Sequence, residues 1–87
     1  MREPILGSVV HYFAGYDDVR LHNATTRPYA AIITDIHGNR LVNVCAFSHD
    51  GYPNARFGIV LLQEDDKPPM GGPSWCQWPV ARNNNHR

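Results

Sequence analysis

The side chains best suited to chemistry in this 87-residue chain are its histidines, arginines and tryptophans, and none of them stands in a catalytic motif. The sequence has no GxSxG nucleophile elbow, no glycine-rich loop ending in Gly-Lys-Ser/Thr and no HExxH pair. Its five histidines match no metal-ligand spacing, and its two cysteines form no CxxC motif. We therefore predict a protein that is not an enzyme and that uses no metal or cofactor.

Seven arginines against one lysine suit a different chemistry, the capture of a nucleotide-like small molecule. A guanidinium group binds a phosphate through two N–H groups and stacks on a base, which an ammonium group does not do. Tryptophan adds a stacking surface. The residues predicted to line such a ligand site are His11, Thr34, Arg40, Asn43, Arg56 and Trp78. A G+C-rich genome also produces an arginine excess, and packing also explains tryptophans, so both interpretations stay open at this stage.

Composition excludes several other functions. Eight basic and eight acidic residues give a net charge of zero, which is unsuited to binding a nucleic-acid backbone. The first residues contain no apolar run long enough for a signal peptide or a membrane span, so we expect a reducing, cytoplasmic compartment and free Cys45 and Cys76 thiols. A chain of 9.8 kDa builds one small core, and homo-oligomerisation is the expected way to bury more surface.

Five short segments rich in β-branched and aromatic residues predict the strands that position these side chains. The segments are residues 7–13, 29–36, 40–47, 56–62 and 74–79. A tight hairpin is expected between the second and third, with Gly38 supplying a positive φ at the turn. The connecting segments 14–27 and 63–73 are rich in turn formers or proline, which favours loops.

The predicted fold is all-β, a small five-stranded SH3-like barrel with at most one short helical turn. A single domain is expected over residues 1–81, followed by a flexible polar tail at 82–87. Closure removes the exposed strand edges, and an OB-like barrel is the alternative. Alternation predicts an interior that includes one of the two tryptophans. Its other predicted members are Val9 or Val10, Ile32, Ile36, Val42, Val44, Phe57, Ile59 and Leu61.

Four motifs in this order resemble a widespread group of small bacteriophage proteins. The motifs are Gly7-Ser8-Val9-Val10-His11-Tyr12, Tyr29-Ala30-Ala31-Ile32-Ile33-Thr34, Leu41-Val42-Asn43-Val44-Cys45-Ala46-Phe47 and Trp75-Cys76-Gln77-Trp78-Pro79. Members of the group begin with a G-x-[IV]-V-H-[YF] strand and end in W-H-W-P, whereas Cys76 and Gln77 separate the tryptophans here.

The resemblance implies a phage accessory protein of a mostly uncharacterised kind, acting in the infected host cell or on the virion. Its implied role is to sequester a nucleotide-like signal of host defence. The alternative is a virion decoration or protein–protein interaction module that binds a host or virion protein. This alternative predicts an exposed apolar patch around Trp78 and Tyr52.

Overall fold

The computed structural model describes residues 1–23 and 27–79, and this part of the chain is all-β. The strands are β1 (Val9–Phe13), β2 (Tyr29–Gly38), β3 (Leu41–Phe47), β4 (Pro53–Leu62) and β5 (Trp75–Gln77). They close a barrel in the order β1-β2-β3-β4-β5, which confirms the predicted architecture and agrees with an SH3-like barrel. This sequential order is not the Greek key of an OB barrel.

The connections explain the mixed strand directions. All neighbouring pairs are antiparallel except β4 and β5, which are parallel. A parallel pair needs a long crossover, and residues 63–74 supply it. The described residues contain no helix, and therefore no helix that is long and apolar enough to cross a membrane. The predicted tail at 82–87 lies outside the described residues.

The β2–β3 hairpin is present, but the predicted conformation of Gly38 is wrong. Gly38 pairs with Leu41 as the last residue of β2, so the turn consists of Asn39 and Arg40. Gly38 is not one of the glycines with positive φ. The reason is that the pairing of β2 with β3 continues to Gly38 and Leu41, one residue pair beyond Ile36, where the apolar pattern of β2 ends.

The barrel interior takes one side chain from every second strand position. Val10, Ala31, Ala46 and Asn54 are paired across four strands and are all buried. The buried apolar cluster comprises Val10, Tyr12, Leu21, Tyr29, Ala31, Ile33, Val42, Val44, Ala46, Ile59, Leu61 and Cys76. The predictions for Val10, Val42, Val44, Ile59 and Leu61 are therefore confirmed, and Ile36 packs against this cluster while partly exposed.

Three predicted core positions are wrong. Ile32 lies on the outer face with 37% of its surface exposed, because β2 is apolar on both faces and alternation alone does not choose between them. Phe57 is 74% exposed because a bulge places Phe57 and Gly58 opposite Asn43. No tryptophan fills the interior: Cys76 is the inward residue of β5.

Candidate functional site

A buried carboxylate, Asp18, ties the β1–β2 loop to the barrel. Its Oδ2 accepts hydrogen bonds from the Tyr12 hydroxyl (2.5 Å) and from Arg56 Nε (2.7 Å). Its Oδ1 accepts from Arg56 Nη2 (3.0 Å) and from the backbone N–H of Leu21 (3.2 Å). The guanidinium group therefore binds the carboxylate in a bidentate manner, and residues from β1, β4 and the loop meet at one charge.

A groove of about 360 Å³ opens beside this network, between the loop and β4. Asp17 lines it and accepts hydrogen bonds from Ser74 N (3.0 Å) and Ser74 Oγ (2.6 Å). Ser74 Oγ in turn accepts from Gly15 N (2.9 Å). The lining of the groove carries two carboxylates, Asp17 and Asp18, and two guanidinium groups, Arg20 and Arg56, of which Arg56 is bound to Asp18.

The network sets the protonation of its members. Burial alone raises the pKa of the Asp18 carboxyl, but the hydrogen bonds from Arg56, Tyr12 and the Leu21 N–H outweigh it and hold the pKa below its ordinary value. Burial, and then the hydrogen bond to Asp18, raises the pKa of the Tyr12 hydroxyl, which therefore stays a donor. Asp18 is ionised and Tyr12 is neutral at neutral pH.

We expect acid to weaken the fold through Asp18. Because the folded pKa is depressed, the stabilisation is complete above the unfolded pKa of about 3.9 and is lost as pH falls through the lower folded value. Urea unfolding of the wild type and of Asp18→Asn between neutral pH and about pH 3 measures this, since 3.9 marks where the loss begins. The difference in free energy of unfolding between the two proteins should shrink in acid, and a constant difference would contradict the assignment.

A second cleft, of about 330 Å³, surrounds Trp78 at the end of β5. The Arg2 guanidinium carbon lies 4.0 Å from the centre of the indole ring, a cation–π contact. Buried Gln63 anchors Arg2, accepting from its backbone N–H (3.1 Å) and donating to its carbonyl oxygen (2.9 Å). Trp78 also packs against the core, so the indole is covered on two sides. Of the two residues predicted to form an exposed apolar patch, Tyr52 is 61% exposed and Trp78 is partly buried.

The other predicted site residues lie on the barrel wall. His11 is half-buried on β1 and pairs with Gln77 of β5. Thr34 is exposed on β2, next to the register shift between Ile33 and Asp35. Asn43 has a structural role. Its Oδ1 accepts a hydrogen bond from the backbone N–H of Gly58 (2.8 Å), whose regular pairing with β3 is interrupted by the bulge.

Arg40 is engaged by a carboxylate, as Arg56 is. Its Nε and Nη2 donate to the two oxygens of Asp66, at 2.8 and 3.2 Å, in an exposed bidentate pair. Trp78 lines one cleft and Arg56 lines another groove, so the structure does not bring the six predicted residues together in a single site.

Two apolar rows cross the outer wall of the barrel. Paired positions on neighbouring strands place their side chains on the same face. One row, the Ile32 row, consists of Val9, Ile32, Cys45 and Ala55 on β1 to β4. The other, the Trp75 row, consists of Leu41, Val60, Trp75 and Phe13 on β3, β4, β5 and β1. No member of either row carries a charge.

The rows leave substantial apolar surface in contact with water. Val9 is 53% exposed, and Ile32 and Val60 are each 37% exposed. On the Trp75 row, the rings of Phe13 and Trp75 stack with centroids 4.1 Å apart. Isolated apolar residues are normal on a surface, but contiguous rows across four strands are typical of an interaction surface.

Sequence reasoning missed the Asp18 network and both rows. The pair Asp17-Asp18 was available as a signal, since a carboxylate in a loop is a natural partner for an arginine in a strand. The two-sided apolar pattern of β2 was a second signal, because such strands are usually covered on both faces.

No protein-family model, curated protein or solved structure matches this chain. In residues 1–23 and 27–79, no group of three or more histidine, cysteine or acidic side chains is placed to hold a metal ion.

Proposed function

We propose that this protein is a non-enzymatic assembly protein whose copies bind one another through the outer wall of the barrel. The observation that carries the proposal is the Ile32 row, an uncharged apolar strip that crosses four strands and faces water in a single chain. Burying such a strip contributes about 25 cal/mol per Å² of apolar surface.

The pattern of β2 supports this proposal. A strand whose outer face meets water usually carries polar residues at alternate positions. In β2, Tyr29, Ala31 and Ile33 are buried inside the barrel, yet the outward positions between them are Ala30 and Ile32. Apolar residues on both faces are expected when another protein surface covers the outer one.

The arginines predicted to bind a nucleotide, Arg40 and Arg56, are already engaged, which weakens the case for capture at these two residues. The guanidinium groups of Arg40 and Arg56 are each bound by an aspartate, and that of Arg2 lies over Trp78. A phosphate would have to displace a carboxylate from the two paired groups. Nucleotide sequestration and virion decoration both stay predictions of the phage resemblance.

The wild-type protein is expected to sediment as an oligomer, larger than the 9.8 kDa chain, and Ile32→Lys as a monomer. The lysine places a charge in the middle of the apolar row, where its desolvation opposes the contact. Sedimentation velocity measures the change. Val19→Lys is the matched control, because Val19 is an exposed apolar residue in the β1–β2 loop and belongs to neither row. A monomeric wild type at high micromolar concentration would overturn the proposed function.

A further inference from the structure

We propose that the cleft at Trp78 binds an oxyanion, a phosphate or carboxylate group, through the guanidinium group of Arg2. Arg2 differs from Arg40 and Arg56 because its side chain lies over an indole ring, whereas each of theirs is held by an aspartate. The site is separate from the assembly surface, since neither Arg2 nor Trp78 belongs to either apolar row.

The position of Arg2 is fixed before any ligand arrives. Gln63, which is only 4% exposed, holds its backbone by accepting from the N–H group (3.1 Å) and donating to the carbonyl oxygen (2.9 Å). The guanidinium carbon lies 4.0 Å from the centre of the Trp78 ring, and Trp78 packs against the core. A group that is already positioned loses less conformational entropy when it binds a ligand.

Two donor groups at this cleft lack an acceptor among the described residues. The hydrogen bonds of Arg2 in this part of the chain are those of its backbone, so its guanidinium N–H groups have no acceptor there. Trp78 Nε1 is buried and likewise has no partner in residues 1–23 and 27–79. A buried N–H group without an acceptor is rare and costly. An oxyanion supplies acceptors, and two of its oxygens match the edge of a guanidinium group.

The carboxylates that line the cleft, Glu64 and Asp66, are engaged elsewhere or open to water. Both oxygens of Asp66 accept from Arg40, which balances its charge. Glu64 Oε1 lies 3.4 Å from the amino group of Met1, and its side chain is 66% exposed. Solvent and salt therefore weaken the repulsion between Glu64 and an incoming anion. The cleft, of about 330 Å³, has room for a phosphate or carboxylate group.

The test is a titration of the wild type with inorganic phosphate at constant ionic strength, followed through the NMR signals of the Arg2 Nε–H and Trp78 indole N–H groups. Both signals should shift in a saturable manner. Phosphate should bind Arg2→Ala at least about tenfold more weakly, because the bidentate contact is lost. The Trp78 signal reports binding in this variant, which keeps the backbone hydrogen bonds to Gln63.

Three further variants separate a site from general charge attraction. Arg20→Ala removes the same charge from an exposed residue that lines a different groove, so phosphate affinity should stay within about twofold of the wild type. Arg2→Lys should fall between the wild type and Arg2→Ala, because an ammonium group keeps the charge without the two-donor edge. Glu64→Gln should raise the affinity, since it removes a negative charge from the lining.

Acetate, adenosine monophosphate and adenosine identify the source of the oxyanion. Binding of acetate as well as phosphate supports a general oxyanion site, and binding of phosphate without acetate supports a phosphate site. Tighter binding of adenosine monophosphate than of phosphate, with no binding of adenosine, supports a phosphate carried on a larger molecule.

Three results would overturn the proposal. They are the absence of a saturable shift with both phosphate and acetate, an equal loss of affinity in Arg2→Ala and Arg20→Ala, and equal binding of adenosine and its monophosphate. Thermal unfolding verifies that each variant folds, and Arg2→Lys replaces Arg2→Ala if that variant does not.

Discussion

Replacing Gly15 by alanine is expected to lower the free energy of unfolding by about 3 kcal/mol or more. A Cβ atom at this position would overlap the carbonyl oxygen of Gly72 and lie 2.6 Å from the carbonyl carbon of Pro73. These are backbone atoms, so no side-chain rotation relieves the overlap. The β1–β2 loop would have to move away from the β4–β5 crossover and lose its hydrogen bonds to Ser74.

Thermal unfolding followed by circular dichroism measures this effect. For a domain of this size, 3 kcal/mol corresponds to a fall in Tm of about 12–24 °C. Gly38→Ala is the matched control, since a Cβ at Gly38 meets no atom within 4 Å and its φ is not positive. Its Tm should remain close to that of the wild type. Equal Tm values for the two variants would contradict the close approach of the two loops.

Removing the guanidinium group of Arg56 is expected to be the second large effect, a loss of about 3 kcal/mol in Arg56→Ala. Asp18 is only 7% exposed, and without Arg56 its charge would keep, among the described residues, the Tyr12 hydroxyl and the Leu21 N–H as partners. A buried charge that loses its counter-ion costs far more than a surface pair contributes. Arg56→Lys should fall between the wild type and Arg56→Ala, because an ammonium group retains the charge but not the bidentate geometry.

Arg40→Ala is the control for this prediction. Its pair with Asp66 is also bidentate, but both partners are accessible to solvent, so the free energy of unfolding should change little in Arg40→Ala. Urea unfolding of the three arginine variants gives the comparison. Equal losses in Arg40→Ala and Arg56→Ala would show that burial of Asp18 does not determine the energetics of the network.

Alternation chose the inward face of β3, where both valines of the strand lie on the same face. In β3, Val42, Val44 and Ala46 alternate with Leu41, Asn43 and Cys45, and the predicted inward set is the observed one. It failed in β2, where Tyr29, Ala31 and Ile33 compete with Ala30, Ile32 and Thr34 for the interior. Both sets contain apolar residues, so pairing with the neighbouring strands decides between them.

The candidate site was less predictable than the fold because its contacts join residues distant in sequence. Residue types drew attention to Arg40 and Arg56, but whether a guanidinium group is available to a ligand depends on which carboxylate lies beside it. Asp18 is 38 positions from Arg56, and Asp66 is 26 positions from Arg40. Nothing local in the sequence records those distances.

The amino-acid sequence by itself determined the number of strands, the tight hairpin and the all-β class, because these depend on local alternation and on turn residues. Only the tertiary structure decided which face of β2 turns inward, which carboxylates hold the arginines, and that two apolar rows cross the outer wall. The physical reason is that strand register and barrel closure bring together residues whose separation along the chain carries no information about their separation in space.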